Sequence, residues 1–185
     1  GEAGVAALEQ GVRERGVKGF EISSYREQRY INDPVYRPFL AKCVELNIPV
    51  RITVGVHLLS DRPYDYAHPK YIDELAIAFP DLRIVSGLGG YPWIPDMVAI
   101  AGRHRNVYID FACRRVKYML SPGAGYEALI YYGARGLQDK IIFGSGWGTS
   151  MVPLVQLVAE TDDLPLKADV RAKWMGGNAA RALGL

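Results

Sequence analysis

Asp110 lies in the extended run Val107–Phe111, and Arg114 and Arg115 follow it within five residues. A carboxylate at a strand end can act as general acid or base. An arginine beside it can hold a substrate carboxylate through two parallel hydrogen bonds. The plainer alternative is a capping aspartate followed by two solvated arginines. Glu21 stands near the end of the first such run, Val17–Ile22, and admits the same two readings. His57 follows the run Pro49–Val54 in a loop, where it is either a proton-transfer group or a solvated loop histidine. The stretch Gly144-Ser145-Gly146-Trp147-Gly148-Thr149-Ser150 is rich in glycine and follows the last run. Backbone N–H groups of such a turn can cradle an anion, or the glycines can simply permit a tight turn. Trp93 and Trp147 could line a pocket for an aromatic ligand or pack around its mouth. His68, before Pro69, reads as a helix-start residue, and His104, at a helix end, as a partner of the helix dipole.

Other chemistry is missing from the pattern. Gly87-Leu88-Gly89-Gly90 follows a strand, but Pro92 occupies the place of a dinucleotide fingerprint's third glycine and no acidic residue completes it. There is no Gly-Lys-Ser/Thr phosphate loop and no HExxH. Ser145 is flanked two residues away by Phe143 and Trp147, so it is not a nucleophile elbow. The two cysteines, Cys43 and Cys113, have no paired spacing and read as buried free thiols of a cytoplasmic protein. Lys and Arg total 22 against 20 Asp and Glu, for a net charge of +2. That balance argues against a nucleic-acid partner. No apolar stretch approaches the ~18–20 residues of a membrane span. A small molecule is the expected partner, with a homo-oligomer as a further possibility.

These groups need elements to hold them. Five short runs, Val17–Ile22, Pro49–Val54, Arg83–Ser86, Val107–Phe111 and Ile141–Ser145, suit buried parallel strands. Helical patterns fill the gaps. In Pro69–Phe79, Ile72, Leu75, Ala76 and Phe79 share one helix face. Pro38–Leu46 repeats the pattern and stops at Asn47. Ile94–Arg103, Gly125–Arg135, Val152–Glu160 and Ala168–Met175 follow, and Asn178 reads as the N-cap of a last helix, Ala179–Leu183. The chain therefore reads as a single α/β domain over residues 1–185. Five units fit a doubly wound sheet, or part of a (β/α)8 barrel. Periodicity alone favours the doubly wound sheet.

Several segments resemble the amidohydrolase-related family (amidohydrolase family 2), which includes decarboxylases of aminocarboxymuconate semialdehyde and resorcylate. Ile48-Pro49-Val50-Arg51-Ile52-Thr53-Val54-Gly55 is similar to its "PVxIHxG" strand. Phe79–Val85 with Gly89-Gly90-Tyr91-Pro92-Trp93 is similar to "FPdLkiV…HlGgxPW". Asn106–Asp110 resembles "NVYxD", Phe143–Trp147 resembles "FGSDxP", and Gly176–Arg181 resembles the closing "gNAar". The segments occur in the family's order. The resemblance implies a TIM barrel, with these five units as strands four to eight. At about 31 residues per unit the chain is about 60 residues short of a closed barrel. An unfinished barrel exposes two strand edges, so the chain is expected to be the C-terminal part of a longer one.

The resemblance further implies hydrolysis or non-oxidative decarboxylation of a small carboxylated or aromatic substrate around zinc or manganese. Here the family's ligand positions on strands five, six and eight hold Thr53, Leu88 and Gly146. Leucine and glycine offer no side-chain donor, and threonine is a poor zinc ligand. The expectation is therefore an enzyme without the usual metal and with no other cofactor. Asp110 and His57 are its catalytic candidates. Glu21, Thr53, Trp93, Arg114, Gly146 and Trp147 are its substrate contacts. The alternative is a non-catalytic barrel serving as a structural or binding subunit.

Overall fold

The computed structural model describes residues 1–185. The first element is a helix, α1 (Glu2–Arg15), ended by Gly16 in the left-handed region (φ 70°). It is absent from the sequence reading, which finds no pattern before Val17. Its apolar Leu8 and Val12 reach the core only partly and no residue in it is fully buried. Then come β1 (Phe20–Ile22), α2 (Arg37–Glu45), β2 (Val50–Thr53), α3 (Lys70–Ala78) and β3 (Ile84–Gly87). α4 (Ile94–Arg103), β4 (Val107–Asp110), a one-turn α5 (Val116–Met119), α6 (Glu127–Gly133) and β5 (Ile141–Ile142) continue the alternation. The C-terminal stretch holds α7 (Trp147–Ser150), α8 (Leu154–Glu160), α9 (Ala168–Ala172) and α10 (Asn178–Leu183).

β1, β2, β4 and β5 are shorter than their apolar runs, because only part of each run finds ladder partners, while β3 keeps its run's length one residue further on. Helix bounds agree better. α4 has the expected limits, and α3 buries Ile72, Leu75 and Ala76 as its periodicity requires. Asn47 does stop the α2 segment, with φ 52°. Asn178 does not cap a helix. A π-helical turn, Lys173–Gly177, carries α9 directly into α10, and Asn178 itself is helical (φ −73°, ψ −35°). Its amide instead donates to the carbonyls of Gln138 (2.9 Å) and Ile141 (2.7 Å), tying α10 to the start of β5.

All five strands are parallel and neighbour one another in chain order, β1-β2-β3-β4-β5. A doubly wound sheet must reverse direction around its first strand, so this sequential order excludes it. The sheet is an arc of a (β/α)8 barrel, with α2, α3, α4 and α6 on one face. The row Ile22, Ile52, Ser86, Ile109 and Ile141 runs across that face in register. All five are fully buried, and the four isoleucines pack with Leu40, Cys43, Ile72 and Met97 of the helices. Fully burying such side chains contributes about 1.5–3 kcal/mol each. Burial also pushes the Cys43 thiol up to about 12, leaving it inert.

The period of two puts Glu21, Arg51, Thr53, Val85, Gly87, Tyr108, Asp110 and Ile142 on the opposite face, the barrel interior. α10 covers the N-terminal end of that face. Ala182 packs with Tyr108 and Ile142, and the Ala182 carbonyl accepts from Arg83 Nε at 2.8 Å. The C-terminal strand ends are left to the connecting loops.

Candidate active site at the strand ends

Parallel strands deliver their last inward residues to one end, and on β2 to β5 those residues are Thr53, Gly87, Asp110 and Ile142. Thr53 is buried beside Gly87, its register partner. Asp110, 4% exposed, is surrounded by donors. Its Oδ1 accepts from the Leu88 N–H (3.1 Å) and the Ala112 N–H (2.9 Å), and its Oδ2 accepts from Arg51 Nε at 2.7 Å. A second, longer contact joins Arg51 Nη2 to Oδ1 at 3.5 Å. With both oxygens engaged, Asp110 is placed as an anchor for Arg51 before any role as acid or base.

Arg51 starts one layer below the mouth, in register with Glu21 and Val85, and its head group reaches up and across β3. It crosses at Gly87. A Cβ there would lie 2.6 Å from Arg51 Nη2 and 2.7 Å from Cζ, so only glycine leaves the guanidinium its place. Arg51 Nη1 also donates to Glu21 at 2.9 Å. Burial works against the Arg51 charge, but Asp110 and then Glu21 outweigh it and hold the guanidinium above its ordinary value. Sequence reasoning missed Arg51. The available signal was a charged residue at the alternating position of an otherwise β-branched strand, on the same face as Thr53.

Leu88 begins three consecutive left-handed residues, with φ of 66°, 72° and 83° at Leu88, Gly89 and Gly90. Its N–H serves Asp110, and its carbonyl accepts from Arg114 Nε at 3.3 Å. The Arg114 guanidinium lies 5.5 Å from the Tyr91 ring centre, and Tyr91 stacks on Tyr126 at 5.8 Å. These groups, with Tyr118 and Ser150, line a cavity of about 570 Å³. Arg115 does not share this role, because it pairs with Glu160 of α8 and holds that carboxylate below its usual range.

The other expected residues sit apart from this cluster or serve the backbone. Gly146 has φ 54°, and a Cβ there would lie 2.2 Å from Cys113 Sγ, so the glycine permits close contact of two loops. The Thr149 and Ser150 N–H groups both turn back onto the Gly146 carbonyl at 2.9 Å, so neither is free to cradle an anion. Trp147 is 55% exposed. Trp93 packs on His68 (4.4 Å) and Tyr64 (5.6 Å) in a separate aromatic group. His57 stacks on Tyr25 at 5.1 Å, with Nε2 bonded to the Pro63 carbonyl at 2.8 Å. No hydrogen bond joins His57 to Asp110 or Arg51.

Residues 1–185, the whole chain, match the amidohydrolase family model. The chain belongs to the amidohydrolase family. Its structure is similar to an uncharacterized TIM-barrel protein from Bordetella bronchiseptica, with 26% identity and a TM-score of 0.79, over 97% of this chain and 61% of that one. It is also similar to 5-carboxyvanillate decarboxylase from Sphingomonas paucimobilis (18% identity, TM-score 0.69, 98% of this chain and 62% of that one). A dihydroxybenzoic acid decarboxylase from Polaromonas, solved with bound manganese, gives 18% identity and a TM-score of 0.69, over 100% of this chain and 66% of that one. This amidohydrolase chain thus spans about three fifths of the length of the first two. No curated protein matches it.

A metal site built by this amidohydrolase chain alone would need His, Cys, Asp or Glu side chains that converge. No three His, Cys, Asp or Glu side chains converge anywhere in it. Asp110, the one carboxylate at the strand ends, has its oxygens occupied, and a guanidinium stands directly against it. A dication placed there would meet that fixed positive charge. No helix is long and apolar enough to cross a membrane.

Proposed function

We propose that this chain forms the C-terminal part of an amidohydrolase-type enzyme acting on a small carboxylated, aromatic substrate. The reaction is non-oxidative decarboxylation or hydrolysis, carried out without metal ligation by β2, β3 or β5. The observation that carries this reading is the cavity of about 570 Å³ where Arg114 lies over Tyr91 and Tyr91 stacks on Tyr126. Tyrosine faces accept a flat ring, while a guanidinium takes a carboxylate through paired hydrogen bonds. In either reaction negative charge moves within the substrate, and fixed cations stabilise it best when they need not reorganise. A second reading, a non-catalytic binding subunit, is favoured by Asp110, whose engaged oxygens leave no free base at the strand ends.

The test uses the whole protein with a panel of hydroxybenzoates and cyclic amides, following carbon dioxide release and product formation with and without a chelator. Turnover that survives chelation and falls at least about tenfold in kcat/KM in Arg114→Gln supports the enzyme reading. Saturable binding without turnover supports the second. Turnover that requires manganese and ignores Arg114→Gln refutes the metal-independent site.

A further inference from the structure

Arg51 is neutralised by Asp110, and Arg115 by Glu160. Arg114 has no such partner. Its Nε donates to the Leu88 carbonyl at 3.3 Å, and the N–H groups on Nη1 and Nη2 have no acceptor in the chain.

Tyr126 is a second donor without an acceptor, and it lines the same cavity of about 570 Å³ as Arg114 and Tyr91. The residue directly precedes α6 and is only 6% exposed. One face of its ring is covered by Tyr91, stacked at 5.8 Å with 12° between the planes. A tyrosine buried this deeply normally finds a partner for its hydroxyl. The Tyr126 hydroxyl makes no hydrogen bond within the chain, yet it is not sealed off as Ser86 Oγ and Trp174 Nε1 are. What stays accessible of the residue therefore includes its donor. Burial raises the phenol above its ordinary value, against the opposing pull of the Arg114 charge, so near neutral pH it keeps its proton and can donate. Neither group owes its freedom to the open edge at β1. Arg114 and Tyr126 follow β4, Tyr91 follows β3, and both strands are paired on each side.

We propose that the Tyr126 hydroxyl is a substrate-binding donor, and that it and the Arg114 guanidinium grip the same carboxylate of an aromatic acid. This rests on the carboxylated, aromatic substrate proposed above and adds the second group that holds it. The guanidinium supplies charge, and the phenol supplies one directed bond. Tyr126 then sets specificity, because a ligand without an acceptor oxygen at this point leaves the hydroxyl buried and unpaired.

The test is calorimetric titration of the whole protein with benzoate, in wild type, Tyr126→Phe and Arg114→Gln, with a thermal melt of each. Tyr126→Phe keeps the ring and its stacking on Tyr91 and removes only the hydroxyl. That hydroxyl has no partner in the fold, so the melting temperature is expected to stay the same or rise, while benzoate binds about five- to tenfold more weakly. A clearly lower melting temperature gives the hydroxyl a structural role and overturns the proposal. Benzoate affinity unchanged in Tyr126→Phe but lost in Arg114→Gln also overturns it, and leaves the carboxylate on Arg114 as proposed for the enzyme. No saturable benzoate binding by wild type removes both the donor pair and the carboxylate-binding cavity on which it rests.

Discussion

Gly87→Ala isolates the Arg51–Asp110 pair with a single methyl group. Inside a strand, alanine normally gains about 0.5–1 kcal/mol over glycine, so backbone propensity alone expects a more stable protein. The three atoms nearest to the added methyl, however, all belong to Arg51: Nη2 at 2.6 Å, Cζ at 2.7 Å and Nε at 3.2 Å. The guanidinium must move, and the 2.7 Å bond from Nε to the Asp110 carboxylate goes with it. Breaking a buried pair costs about 3–5 kcal/mol. Arg51 is 31% exposed and can be rehydrated, so about 2–3 kcal/mol is the better figure here. After the propensity gain, the net loss is about 1–2.5 kcal/mol. Urea unfolding of the whole protein, followed by tryptophan fluorescence, measures it. The same substitution in an Arg51→Ala background removes the obstacle and leaves only the propensity term. A coupling energy of at least about 1.5 kcal/mol is therefore expected from the double-mutant cycle. An equal cost in both backgrounds would show that Gly87 is needed for some other reason and that the crossing of β3 has been misjudged.

Gly146→Asp restores the residue type of the family motif, but its Cβ would lie 2.2 Å from Cys113 Sγ on a backbone with φ 54°. A loss of more than about 2 kcal/mol and no gain of stoichiometric zinc or manganese are expected from thermal melts and elemental analysis; a stable, metal-loaded variant counts against the site described here. Asn178→Ala removes both donations that tie α10 to Gln138 and Ile141 and should cost about 2–3 kcal/mol by chemical denaturation, with a loss below about 0.5 kcal/mol as the contrary result. His68 is held below its usual value of 6.5 by burial and then by Lys70, against weaker opposing pulls from Asp96 and Asp65. Its neutral Nδ1 accepts the Lys70 N–H at 3.1 Å at the start of α3. The folded state thus prefers the neutral ring, so this stabilisation is complete above the unfolded value and is lost as pH falls through the lower folded value. His68→Asn keeps an acceptor that does not titrate; melting temperature should then fall less steeply below about pH 6.5, and an unchanged slope would remove His68 from the account.

The elements were legible where the physics is local. A β-branched run between helix-period segments must be a buried parallel strand, and all five such runs are strands. α1 escaped because its apolar residues, Val5, Leu8 and Val12, are diluted by alanine and charge, and no residue in it becomes fully buried. Asn178 looked like a cap because asparagine after two glycines usually is one. Its actual partners lie 37 and 40 residues away, at distances no local rule can reach. The strand order was equally hidden. Five units of similar length suit either architecture, and only the family motifs pointed to the barrel. At the site, Asp110 and Arg114 were recognisable as charged residues past a strand end. Arg51 was not, since its meaning depends on Asp110, 59 residues further on, and on a glycine in the strand between them.

The peptide of Leu88 organises the charged groups at the strand ends. Its left-handed backbone, φ 66°, leaves the N–H engaged with Asp110 and the carbonyl engaged with Arg114. One peptide group thus supports both cations of the mouth, Arg51 through Asp110 and Arg114 directly. The positions of these main-chain atoms depend on the conformation of residue 88 rather than on its side chain. Two guanidiniums linked through one peptide present positive charge in two fixed directions, whereas a single metal ion concentrates it at one point.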